Sequence, residues 1–130
     1  MRRRRYRGGV KRLVAGTALA LSAAVLAGCS SDTGVTPTGE TTTVTVQVDG
    51  MHYTPAEIEV PVGDELVVEF ENTGLDLHDI SFGNGEASER LNPGDTETIE
   101  VGVVGEDMEF WCSVSNHREM GMEGMIVVTD

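Results

Sequence analysis

From residue 42 onward the chain alternates apolar and polar residues with a period of two, the mark of strands buried on one face only. Val44, Val46 and Val48 fall on one face of the first such stretch, with Thr43, Thr45 and Gln47 on the other. Ile58, Val60 and Val62 alternate with Glu57, Glu59 and Pro61. Leu66, Val68 and Phe70 alternate with Glu65, Glu69 and Glu71, and Val67 is the one breach. Further segments at 77–82, 96–103, 107–112 and 124–129 are separated by turn formers such as Asp49-Gly50, Gly63-Asp64 and Pro93-Gly94. No helical period appears in this part of the chain. Seven or so short strands in under 90 residues predict one all-β domain over 42–130, an antiparallel β-sandwich or barrel.

What precedes that domain reads differently. A basic run from Arg2 to Arg12 is followed by an apolar stretch from Leu13 to Ala27 and then by Leu26-Ala27-Gly28-Cys29. This is the layout of a secretory signal peptide, with an apolar run too short and too rich in small residues for a membrane span. The tetrad resembles the lipoprotein box, which makes 1–28 a lipoprotein signal peptide and Cys29 the lipidated first residue of the mature chain. Residues 29–41 are rich in Ser, Thr, Gly and Pro and read as a flexible linker. The expected location is the cell membrane, lipid-anchored, on the extracytoplasmic side.

Charge divides at the same boundary. Of the nine Lys and Arg, only Arg90 and Arg118 follow Cys29, whereas all 22 Asp and Glu do. Nucleic acid is excluded as a partner, because its phosphates would be repelled. The acids are spread along the whole domain, which suits a salty environment better than a localised docking field.

With Cys29 assigned to the anchor, Cys112 is the single cysteine left, and no disulfide can form within the domain. An exported domain ordinarily spends cysteine on disulfides, so a lone one points to a metal ligand or a reactive thiol. Cys112, His117 and Met122 follow one another at Cys-x4-His-x4-Met between two strands, where a loop anchored at both ends can turn all three to one point. His78 lies 34 residues before Cys112 on the face shared by Ile80 and Phe82. Two imidazoles, one thiolate and a weak axial thioether are the donors of a blue-copper site. Zinc accepts the same nitrogen and sulfur ligands. Met120, Met122 and Met125 all compete for the axial place, and His52 sits by a turn with no partner pattern.

The segment order resembles the plastocyanin and azurin cupredoxins, the blue copper proteins, and most closely their acidic lipid-anchored members such as halocyanin. The resemblance is carried by Tyr53-Thr54-Pro55, Gly63-Asp64, the stretch from Asn72 through His78 to Ile80, Asn92-Pro93-Gly94, the Cys112 loop and Gly121-Met122 with Gly124. Ser115-Asn116 stands where many relatives have Pro-Gly. The resemblance implies a Greek-key sandwich of seven to eight strands and one type 1 copper per chain, held by His78, Cys112, His117 and Met122. It also implies a hydrogen bond from the Asp79 backbone NH to the Cys112 sulfur. Trp111 is placed as an exposed aromatic before the cysteine, a possible second electron port, and Met120 as part of an apolar rim around His117.

The function these features predict is one-electron shuttling between redox-partner proteins of a membrane electron-transport chain, by a monomer. The alternative is copper storage or delivery outside the cytoplasm. Catalysis by this chain alone is not expected. A copper enzyme needs a second, open centre, and only His52 is left once His78 and His117 are used.

Overall fold

The computed structural model describes residues 34–130. The stretch expected to be a signal peptide at 1–28, the expected lipidation site Cys29 and the expected linker as far as residue 33 lie outside the described residues. Eight strands follow in order: β1 (Thr41–Asp49), β2 (His52–Thr54), β3 (Glu57–Pro61), β4 (Glu65–Glu71), β5 (Ser81–Phe82), β6 (Thr96–Val103), β7 (Met108–Trp111) and β8 (Glu123–Thr129). They form two four-stranded sheets, ordered β2-β1-β4-β6 and β3-β8-β7-β5. Among the described residues no helix is long and apolar enough to cross a membrane.

The sandwich expected from the alternation is present, with both sheets mixed. β1 runs parallel to β4 and β3 parallel to β8, while the remaining pairs are antiparallel. A period of two reports which face is buried and is silent on strand direction. The inward faces meet as one core. Val46, Leu66, Val68 and Phe70 come from the first sheet, and Ile58, Val60, Phe110 and Ile126 from the second, none more than 2% exposed. Tyr53 bridges the layers, its ring 6.1 Å from Phe70 and 5.4 Å from Phe110.

The outward face of the first sheet shows how so acidic a domain avoids direct repulsion. Glu65, Glu69 and Glu71 on β4 stand opposite Thr41, Thr45 and Gln47 on β1, so no carboxylate there faces another across the pair. Gln47 Nε2 donates to Glu71 at 2.6 Å, and Thr45 Oγ1 to Glu69 at 3.3 Å.

The described end of the stretch read as linker is fastened to the domain. Thr41 already opens β1, and the Thr38 backbone NH donates to the Gly63 carbonyl at 2.9 Å. Thr38 Oγ1 and Thr42 Oγ1 both donate to the buried Asp64 carboxylate, at 2.7 and 2.8 Å. Satisfying a carboxylate with two hydroxyls at the sheet edge orders a segment whose composition alone reads as loose.

The loops that follow β4 and β7, together with the β1–β2 hairpin, gather at one end of the sandwich. The strand registers place Asp49 beside the Glu71 end of the first sheet and Trp111 beside Glu123 in the second, and the approach of His78 to Cys112 joins the two ends.

Candidate metal centre

His78 does not lie in a regular strand. It pairs with Leu91 through an isolated bridge, donating its NH at 3.2 Å and accepting at 2.8 Å, and β5 begins only at Ser81. The loop before it is organised by the buried Asn72 side chain, whose amide donates to the carbonyls of Asp76 and Leu91, both at 2.8 Å. Gly74 lies so close over the ring that a Cβ there would sit 3.2 Å from His78 Cδ2. The imidazole is held at 1% exposure.

Cys112 follows the last residue of β7, and its NH donates to the Met122 carbonyl at 3.0 Å, closing the ligand loop at its base. Within the loop a turn brings the His117 NH to the Val114 carbonyl at 3.1 Å, and the Met122 NH returns to the His117 carbonyl at 3.0 Å. Ser115 takes a left-handed backbone, φ 48°, a conformation that disfavours residues with a Cβ. The loop has no glycine at 115 to take that conformation freely.

These two segments bring three donors together. Cys112 Sγ lies 4.0 Å from His78 Nδ1 and 3.6 Å from His117 Nδ1, and the three ligand atoms are all within 4.8 Å of one another. It is the one such group of His, Cys, Asp or Glu among the described residues. A trigonal ion with metal–sulfur and metal–nitrogen bonds of about 2.3 and 2.0 Å would separate sulfur from nitrogen by about 3.7 Å. The donors are already spaced to fit such an ion.

Their protonation suits a metal as well. Burial holds the His78 imidazole below the usual histidine value, and His117 beside it adds to the effect against the opposing pull of Asp76 and Asp79. A neutral ring is the form that ligates. Burial pushes the Cys112 thiol up, and backbone hydrogen bonding at Asp79 and Val114 draws it partly back. A cation between the donors supplies the charge that keeps the sulfur a thiolate.

Of the three contested methionines, Met122 is fully buried, whereas Met120 is 51% and Met125 37% exposed. Met122 is therefore the one packed into the interior at the base of the loop. His52 is exposed on the β1–β2 hairpin and lies outside the donor group.

Asp79 does more than its backbone suggests. Its buried carboxylate accepts the Ser113 NH at 2.6 Å and the Ser113 hydroxyl, which ties the residue after His78 to the residue after Cys112. The Tyr53 hydroxyl donates to the Asp79 carbonyl at 2.6 Å, and burial keeps that phenol un-ionised far above its ordinary range. The Arg90 guanidinium stands 3.9 Å from the same carboxylate. Outer partners of this kind fix ligand orientation.

Trp111 is partly covered, where an exposed aromatic was expected. Arg118 Cζ sits 4.4 Å from the centre of its ring. No local pattern signals this contact, since Arg118 reads as an ordinary surface charge until the loop folds back.

A family model described as a cupredoxin-like domain matches residues 17–128. Among solved structures, one that is similar is a dithionite-reduced auracyanin from the photosynthetic bacterium Roseiflexus castenholzii. It is 24% identical with a TM-score of 0.58, over 71% of this chain and 100% of that one. Auracyanin B is 15% identical with a TM-score of 0.59, covering 74% and 94%. Auracyanin A, described as a "blue" copper protein of Chloroflexus aurantiacus, is 18% identical with a TM-score of 0.55, covering 68% and 98%. At these identities the likeness establishes the fold. No curated protein matches the chain.

Proposed function

Since the chain belongs to the cupredoxin-like family, we propose that it is a blue-copper electron carrier whose single copper is held by His78, Cys112 and His117 with Met122 as the axial ligand. The observation that carries this reading is the His78–Cys112–His117 donor group with its spacing of 3.6 to 4.0 Å between sulfur and nitrogens. Copper held by these residues would supply a Cu(I)/Cu(II) one-electron couple.

The chain's own residues do the rest. Donors fixed by two packed sheets and by the Asp79–Ser113 tie have little freedom to rearrange, so both oxidation states meet nearly the same geometry. Burial of His78 and Met122 shields the site from water and from competing ligands, which favours a resident metal over one handed on in storage or delivery. His117 alone of the donors is partly exposed and is the point of electron exchange. Leu75 at 93%, Leu77 at 37% and Met120 at 51% exposure belong to the same two loops and supply an apolar rim. Exposed apolar groups of this kind mark interaction sites, and small interfaces suit short encounters.

Electron self-exchange between oxidised and reduced copies, followed by NMR line broadening, tests the reading. The double variant Leu75→Ser, Met120→Gln is expected to keep the visible spectrum and slow the exchange about tenfold, the equivalent of about 1.4 kcal/mol of lost encounter free energy. An unchanged rate with an unchanged spectrum would contradict the exchange point.

The partners proposed are redox proteins of a membrane electron-transport chain. The lipid on Cys29, supported by the Leu26-Ala27-Gly28-Cys29 pattern, would hold the carrier at the extracytoplasmic surface. Cys29→Ser is expected to move the protein from the membrane fraction to the soluble one; retention in the membrane fraction would contradict the anchor.

A further inference from the structure

We propose that Arg118 is a strap: it binds the His117 end of the ligand loop to the outer face of the second sheet and in doing so covers Trp111. Arg118 directly follows His117. Its Nη2 donates to Glu109 Oε2 at 2.8 Å and its Nε to Glu123 Oε2 at 3.2 Å, while its guanidinium lies 4.4 Å above the Trp111 ring centre. The three contacts form one seat. Glu109 and Trp111 are alternate outward positions on β7, and Glu123 is the cross-strand partner of Trp111 on β8.

The seat is specific for arginine. A flat guanidinium can stack on an indole while two of its nitrogens reach different carboxylates, whereas a lysine ammonium is a point charge without that plane. Its placement also matters for charge. Arg118 is one of two cations after Cys29, and it stands between two carboxylates that would otherwise meet beside Trp111.

The loop needs such a fastening. Between the Cys112–Met122 closure and the turn at Ser115, with its left-handed backbone, His117 is held by loop hydrogen bonds and by ring contact with His78 at 5.0 Å. Fixing the next residue to the sheet limits how far the His117 ring can swing from the sulfur. Arg118 is thus a positioning residue. The covering of Trp111 leaves the His117 edge as the open side of the site, and this last point rests on the electron-carrier reading above.

The chain has a single tryptophan, so its fluorescence reports this seat alone. Acrylamide quenching of the metal-free full chain is to be compared among the parent, Arg118→Gln, Arg118→Lys and the pair Glu109→Gln, Glu123→Gln, which removes the anchors without touching the loop. Quenching is expected to rise about twofold in Arg118→Gln and in the paired variant, because one ring face is uncovered, with Arg118→Lys between them and the parent. In the Cu(II)-loaded proteins, Arg118→Gln and the paired variant are expected to shift the copper EPR pattern in the same direction. Equal quenching in all four proteins overturns the strap, and a shared rise in quenching with an unmoved EPR pattern overturns its hold on His117. A parent that gives no blue-copper spectrum defeats the carrier reading instead, and the quenching series then still decides whether the strap exists.

Discussion

Cys112→Ser is expected to lower copper affinity by more than about 100-fold, the upper figure for disturbing only an outer partner of a ligand, and to abolish the intense visible absorption of a thiolate–Cu(II) bond. The sulfur is the single soft anion the group offers. A serine hydroxyl in the same buried place would have to lose its proton against a much higher barrier. The fold is expected to survive, because an oxygen at this position can still take part in the backbone hydrogen bonding at Asp79 and Val114. Far-UV circular dichroism and a copper titration on the same sample separate the two effects. Wild-type affinity with the colour retained would show that the sulfur is not a ligand.

Gly124→Ala is expected to destabilise the domain by about 3 kcal/mol or more, at the upper end for overpacking a core. A Cβ at Gly124 would overlap the Phe110 ring and the Ala56 carbonyl. Neither neighbour can yield easily. Phe110 is fully buried between Tyr53 and Phe82, with ring centres 5.4 and 6.1 Å away, and it is the direct cross-strand partner of Gly124. The Ala56 carbonyl accepts the Met125 NH at 2.9 Å. β7 and β8 carry the two ends of the ligand loop, so their separation would scatter the donors as well. Urea denaturation of the metal-free protein measures the loss, and added copper should recover part of it by binding only the folded state. A midpoint equal to that of the parent would mean that β8 shifts without cost.

Much of this architecture is legible in the sequence, and the illegible parts have physical reasons. The valines of β1 and the alternation along β3, β4 and β6 declare their buried faces outright. The spacing Cys112-x4-His117-x4-Met122 announces a loop with metal donors, because few other uses of a lone cysteine fit a domain without disulfides. β2 is invisible to such reading. It is three residues long with one buried side chain, Tyr53, and so has no alternation to detect. The stretch from Leu77 to Ile80 breaks the rule in another way. Leu77 is exposed and the carboxylate of Asp79 buried, since Asp79 serves Ser113 across 34 residues of chain, which no local pattern can signal. Arg118 is hidden for the same reason. Its partners become neighbours only when β7 and β8 pair, and only then does the aromatic before Cys112 become a covered one.

The substitution of Ser115-Asn116 for a Pro-Gly pair points to a change in loop stiffness, and the structure places Ser115 in a left-handed conformation that a proline at 115 could not adopt. The turn is made all the same, with the His117 NH on the Val114 carbonyl, because contacts outside the turn hold it.

The most direct test of the blue-copper site is a titration of the full chain with Cu(II), followed by visible absorption and EPR. The expected result is an intense band that saturates at one copper per chain, with the narrow copper hyperfine splitting of a thiolate-bound centre and reversible bleaching on one-electron reduction. A complex that stays colourless, or that takes up copper with the same spectrum in Cys112→Ser, would contradict it.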